Sequence, residues 1–464
     1  MVTGGFAAGP NLSTQKATLD ENWANLTPSE KKHRRFQWWL SAEGVKFVDQ
    51  DAEKAYKQRV QRMIDVYEVR QPDRVPVNVP IGHLPAHYAG LDYRTVMYEP
   101  EKAIAAWEKF NRESGLDAFV SPAGTSSGKV LEMIDYRLYI WPGHGLPLDA
   151  DGFQYVEGEY MTVDEYDALI SDPSDFWTRT YIPRILGALE PWKHLQPITN
   201  VFEIPTVQGY LMPFTRPDVQ ASLEKLIETG KELSKWVSIM SKINRRGAEL
   251  GYPAARGALA KAPFDTIGDT LRGTKGIFFD MYRCPDKLHK AMDVMADVTI
   301  DYVISTLNSS KGLLATFPLH KGADGWMSQQ QFDTFYWPSL KKVIDALIKE
   351  GILVSLFAEG GYDTRIEKCN QFAKGSVVWL FDKSDMAHAK KVLGKDCCIS
   401  GNVPASLLHT GTPAEVKEYC RKLIETCGKG GGYILAAGNA SAERAKLDNL
   451  RAMQDAAAEY GVYK

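Results

Sequence analysis

The stretch that decides the fold is GILVSLFAEGGYD, residues 351–363. Its first part, Ile352 to Phe357, is a nearly unbroken apolar run of strand length, the pattern of a parallel strand covered on both faces. It breaks off into Glu359, Gly360, Gly361, Tyr362 and Asp363. A carboxylate, a glycine pair and a phenol thus leave the carboxyl end of a buried strand, where parallel α/β folds gather ligands and catalytic groups. The bland alternative is that Glu359 caps the next helix while the glycines turn the chain. This stretch alone leaves both readings open.

Working outward, the C-terminal half alternates regularly. Apolar strands are expected at 313–319, 376–381, 397–400 and 432–436, and a shorter one at 258–263. Helices at 218–250, 288–307 and after Thr412 separate them. Ser328 with Gln331, and Thr412 with Glu415, are capping boxes. Leu340, Val343, Ile344, Leu347 and Ile348 form one apolar helical stripe. Upstream, 74–81 (RVPVNVPI) reads as a first strand, 116–120 as a second, and 198–204 as a third. Strands alternating with helices predict a parallel sheet, and the count of roughly eight predicts a single (β/α)8 TIM barrel. Residues 1–58 are expected as an N-terminal arm and helices, the first helix opened by a capping box at Thr27–Glu30. The barrel is expected over 59–464, with hairpins decorating it in an insertion at about 125–180. No GxGxxG follows the first strand, which counts against a dinucleotide-binding fold.

The totals bound the function. At 464 residues, 44% hydrophobic and 24% charged, the chain has a globular composition. With 55 basic and 58 acidic residues there is no global charge argument for nucleic acid or for a membrane surface. No apolar run approaches the roughly 20 residues of a spanning helix. Six cysteines in a chain of this length are not a disulfide framework, and a cytoplasmic location is expected.

At the expected mouth of the barrel the strand ends collect His83, Glu203, Asp265, His320, Lys321, Asp324, Glu359, Tyr362, Asp382, Asn402 and Asn439. Each has an ordinary structural reading: a histidine hydrogen-bonded in place, a Lys321–Asp324 surface pair, Asp382 and Asn402 as helix caps. The number of strands ending in polar groups argues for a site. Neither CxxC nor HExxH is present, and Cys397 and Cys398 read as core.

Residues 261–273 (KAPFDTIGDTLRG), 327–347, 399–408 (ISGNVPASLL) and 411–440, with 59–77 near the N-terminus, resemble the uroporphyrinogen decarboxylase superfamily. The resemblance implies a (β/α)8 barrel hosting either decarboxylation or corrinoid-linked methyl transfer. Porphyrinogen decarboxylases carry an arginine motif after the first strand. Here that place reads VPIGHLPAHYAG (79–90), without the guanidinium forks a polycarboxylate needs. Thiol-methylating members bind zinc through a His-x-Cys and a further cysteine, which are Phe357, Glu359 and Asn439 here. The sequence is more similar to the branch that demethylates donors such as aryl methyl ethers. The resemblance implies a methyltransferase passing a methyl group from a small methylated donor to a corrinoid protein, the corrinoid (cobalamin) supplied by that partner. In this reading Glu359, His320, Tyr362 and Asp382 are catalytic, with Glu359 also a candidate ligand for zinc. His83, Lys321, Asp324, Asn402 and Asn439 bind substrate. A decarboxylase of a carboxylic acid is the alternative.

Overall fold

The computed structural model describes residues 5–6, 19, 22–80, 82–122, 125–438 and 442–463. Its strands, in chain order, are β1 (Gly5–Phe6), β2 (Tyr139–Pro142), β3 (Gly145–Leu146), β4 (Gln154–Tyr155), β5 (Arg256–Leu259), β6 (Leu314–Leu319), β7 (Leu353–Ala358), β8 (Val377–Phe381), β9 (Cys398–Val403) and β10 (Tyr433–Ala437). β1 and β5 to β10 form one sheet, every neighbouring pair parallel, with β5 to β10 in chain order. All six residues of β7 are buried. Its side chains divide by the two-residue period of a strand. Val354, Leu356 and Ala358 join the main helix-facing core, while Phe357 packs inside the sheet against Leu380 and Ala436. Below that inner cluster lies a small cavity of about 60 Å³, lined in part by Asn78, Ser355 and Ser400. The decisive stretch is therefore a strand covered on both faces.

Two expected strands are not laddered: 74–81 keeps isolated bridges at Arg74 and Val77, and 116–120 only individual backbone hydrogen bonds. In 74–81 the prolines remove donors from every other amide on one face. Asn78 N–H still donates to the Leu435 carbonyl at 3.1 Å, and Leu435 N–H to the Pro76 carbonyl at 3.0 Å. On the other side Asp117 N–H donates to the Val77 carbonyl at 3.1 Å, and Phe119 N–H to the Pro253 carbonyl at 2.8 Å. The third expected strand, 198–204, is not one. It is a short 3-10 turn (Ile198–Asn200) followed by a helix (Ile204–Leu211), with Pro205 in the first helical turn and Glu203 and Thr206 making a capping box. Ile198 and Ile204 are 78% and 87% exposed. A β-branched run suggested a strand, but proline at a helix start, where no amide hydrogen is missed, decides the local conformation.

The segment expected as an insertion contains a small sheet in which β2 and β4 run antiparallel. At the opposite end of the main sheet, helices α1 (Pro28–Ser41) and α2 (Gln50–Tyr67) lie against the amino ends of the strands. Phe36, Met63, Ile64 and Tyr67 cluster there with Leu314, Leu353, Val378 and Ile434. α1 carries the expected capping box, Glu30 N–H donating to Thr27 Oγ1 at 3.3 Å and Thr27 N–H to the Glu30 carboxylate at 2.7 Å. Its Arg35 is fully buried, donating to the carbonyls of Gly312 at 2.5 Å and Glu350 at 3.3 Å and to the Asn308 side chain. Among the described residues no helix is long and apolar enough to cross a membrane. Arg35→Ala strands several buried acceptors at once and is expected to cost about 3 kcal/mol, seen as a lower urea midpoint, because unsatisfied buried groups cost about 1–3 kcal/mol each.

Candidate active site

Because neighbouring strands are parallel, their carboxyl ends share one rim. β6 ends at Leu319 and delivers His320 and Lys321 there. β7 delivers Glu359, β8 delivers Asp382, and Asn402 lies within the last turn of β9. The short helix Pro263–Asp265 runs into a π-helical turn, Thr266–Leu271, so Asp265 and Asp269 stand one turn apart. Single π turns inside helices recur at functional sites because they re-aim side chains.

Asp265 is fully buried and fixes the end of β6. Its carboxylate accepts the backbone N–H groups of His320 and Lys321, both at 3.0 Å, and the Tyr336 hydroxyl at 2.6 Å. With the backbone pinned, the His320 ring meets Asp269, Nδ1 to Oδ2 at 2.6 Å. Its other nitrogen, Nε2, faces Glu359 at 3.6 Å. Lys321 Nζ lies 3.0 Å from the second Asp269 oxygen, and Lys261 Nζ lies 3.2 Å from the first. Gly268 lets Lys321 come this close, since a Cβ there would sit 2.8 Å from the lysine Cε. Asp269, His320 and Glu359 form a row from a mostly buried carboxylate, 12% exposed, to a half-exposed one.

Burial alone raises the Asp269 carboxyl, yet the His320 hydrogen bond and the charges of Lys261 and Lys321 hold it well below the usual carboxylate range. Asp265 moves the other way, raised by burial first and by the Asp269 charge second. For His320, burial opposes protonation, but the bond to Asp269 and the charges of Asp265, Asp269 and Glu359 outweigh it and raise its pKa. An ionised Asp269 can only accept, so Nδ1 carries a hydrogen and Nε2 is the nitrogen free to exchange a proton.

The other expected site residues divide. Asp382 lies on the rim, accepting the Gly360 N–H at 3.2 Å, and burial raises its pKa. Gly360 takes φ +89°, which turns that N–H off the strand and suits glycine. Asn402 is buried and donates to the Ser384 carbonyl at 2.8 Å. The helix starts that Asp382 and Asn402 were expected to cap belong instead to Asp385 and Pro404. Tyr362 is 1% exposed and its hydroxyl donates to the Leu319 carbonyl at 2.9 Å, so it ties β6 to the loop after β7 rather than opening onto the rim. Asp324 accepts the Thr364 hydroxyl at 2.7 Å and pairs with Arg365, a loop clasp; Lys321 turns to Asp269 instead. Glu203 caps its exposed helix, away from the ring expected of it. His83 is buried, its Nε2 2.5 Å from Thr125 Oγ1 and its Nδ1 3.6 Å from Glu443, and burial lowers its pKa. Asn439 lies outside the described residues.

Among the described residues no three His, Cys, Asp or Glu side chains converge as ligands of one metal ion, so zinc on Glu359 finds no complete donor set there. Asp269 and Lys261 are the members sequence reading passed over. The spacing of Asp265 and Asp269, i and i+4 on one helical face, was the available signal.

The chain matches the uroporphyrinogen decarboxylase (URO-D) family over residues 208–460, more than half its length. Among curated proteins it is similar to the uroporphyrinogen decarboxylase of Actinobacillus succinogenes, 25% identical over 39% of this chain and 50% of that protein. The namesake from Pseudoalteromonas translucida is 28% identical over 33% of this chain and 43% of its own. The chain thus spans about half the length of the curated relatives it matches. Among solved structures, a methyltransferase from Methanosarcina mazei superposes with a TM-score of 0.56 at 16% identity, covering 86% of this chain and 98% of the other, a likeness of fold. A parallel α/β sheet with its polar groups on the carboxyl rim, and a family match through the segment that builds them, lead to one assignment: the chain belongs to the uroporphyrinogen decarboxylase family.

Proposed function

We propose that the chain is a cytoplasmic, corrinoid-linked methyltransferase that takes a methyl group from a small donor such as an aryl methyl ether. The observation that carries this reading is the Asp269–His320–Glu359 row, a histidine oriented by a mostly buried carboxylate with its second nitrogen on the open rim. We further read the sheet as a closed (β/α)8 barrel, supported by the bonds that the 75–79 segment makes to β10 on one side and to 116–120 on the other.

A reduced corrinoid carried by a partner protein would supply the nucleophile for the methyl carbon. This chain holds the donor and manages its oxygen, because an unassisted alkoxide or phenolate leaves poorly. As the carbon–oxygen bond breaks, His320 gives its Nε2 proton to the departing oxygen, and Asp269 at Nδ1 keeps the imidazolium favourable before that moment. Glu359, on the open side of His320, adds negative charge that raises its proton affinity and offers a route for the proton's return. Lys261 and Lys321 keep Asp269 ionised. Asp382 and Asn402 shape the rim around the donor. The names of the curated relatives support a second reading, decarboxylation of a carboxylic acid, with the two lysines meeting the substrate anion.

Incubation with a reduced corrinoid protein and a panel of isotope-labelled aryl methyl ethers is expected to move the labelled methyl onto the corrinoid and release the phenol. No transfer across the panel refutes the reading, and carbon dioxide release without corrinoid favours the decarboxylase. His320→Gln is expected to slow transfer by about 10²–10⁴-fold, the usual worth of a positioned acid. The acid form is complete below the pKa of His320 and is lost as pH rises through it. Since that pKa is raised, the rate is expected to fall at a pH above the midpoint of an ordinary histidine. Asp269→Asn, which removes the largest favourable partner, is expected to move the falling limb to lower pH in a rate–pH profile.

A further inference from the structure

The insertion looks like decoration in the sequence, but its last strand lies along the segment that carries Asp269. The Tyr155 hydroxyl of β4 donates to the backbone carbonyl of Asp269. Farther along, the N–H groups of Tyr160 and Met161 both donate to the Leu271 carbonyl, at 2.7 and 2.8 Å. Arg272, 5% exposed, pairs with Glu159 from the insertion and with Asp280. Glu157 accepts the Thr274 N–H at 2.6 Å, and the hydroxyl of that threonine accepts from Lys321 Nζ at 2.9 Å. The insertion therefore reaches Asp269 by two routes, directly through Tyr155 and indirectly through Glu157, Thr274 and Lys321. Tyr155 is itself held: Tyr139 stands opposite it across the β2–β4 pair, ring centroids 5.4 Å apart at 67°.

We propose that Tyr155 is a positioning residue, holding the π turn so that Asp269 meets His320 Nδ1, with Glu157 as a second brace through Thr274 and Lys321. A π turn is a single-turn departure from the α-helical ladder, and here hydrogen bonds from Tyr155, Tyr160 and Met161 meet its carbonyls. A small displacement matters because a bond between charged partners depends steeply on distance and direction. The insertion is on this account part of the acid–base apparatus. The proposal rests on the reading of His320 and Asp269 as a working pair, but it can be tested without a methyl donor.

A ring N–H held by a carboxylate at 2.6 Å gives a far-downfield proton resonance, and His320→Gln identifies it by its loss. In the full chain, Tyr155→Phe and Tyr155→Leu are both expected to lose this resonance, although the first keeps the ring and its contact with Tyr139. Glu157→Gln, at an exposed position, is expected to retain the resonance with solvent exchange about tenfold faster, the effect of weakening a bond by roughly 1.4 kcal/mol. Persistence of an unchanged signal in Tyr155→Phe overturns the role of the hydroxyl, and unchanged exchange in Glu157→Gln overturns the second brace. A wild-type spectrum with no resonance dependent on His320 overturns the pair itself and, with it, the reading beneath the proposal.

Discussion

Asp265 is the constraint on which the rim depends. A carboxylate sealed from water is tolerable only when its oxygens are taken, and three donors take them: two consecutive backbone amides and a tyrosine hydroxyl. Hydrogen bonds to a charged acceptor are worth about 1.5–3 kcal/mol each, so the arrangement resists exchange of any donor for another. Its geometric effect exceeds its energetic one. Two adjacent amides on one carboxylate fix the direction in which the chain leaves β6, and so the side on which the imidazole and the ammonium of the next two residues emerge.

Asp269, one helical turn away, has the same side chain and a different task. Asp265 is bonded to neutral donors in a fully enclosed place, and burial and its neighbour's charge raise its pKa. Asp269 faces an imidazole and two ammonium groups and stays ionised. Two carboxylates placed so that their proton affinities diverge are a common basis for dividing structural and chemical roles. Together they make the histidine between them and Glu359 a better base than a free imidazole, while leaving only one of its nitrogens open to the rim.

Much of this is legible in the sequence. The run from Ile352 to Phe357 is a strand because five apolar residues broken only by Ser355 suit a position covered on both faces, and Glu359 and His320 meet at the rim because parallel strands end together. What failed did so for local reasons. Prolines in 74–81 removed the amides that would have completed a ladder, and Pro205 with a capping box made a helix of what β-branched residues suggested was a strand. Tyr362 and Asp324 follow the same strands as the working groups, and sequence position alone could not show that their polar atoms close upon Leu319, Thr364 and Arg365. The bond of Asp269 to His320 comes from a π turn that is itself contacted by Tyr155, more than a hundred residues upstream, a long-range arrangement that periodicity does not encode.

The buried guanidinium of Arg35 has a consequence for the order of events during synthesis. Its acceptors come from residues 308, 312 and 350, so the guanidinium is made some three hundred residues before the groups that receive it. Loop-closure entropy grows only slowly with chain length, so the eventual contact is not prohibitive, but such long-range pairing slows folding. Until then the arginine must remain in water or in temporary company, while Phe36 one residue on can already meet Met63 and Tyr67 of α2. The floor of the sheet is thus finished only when its strands are made.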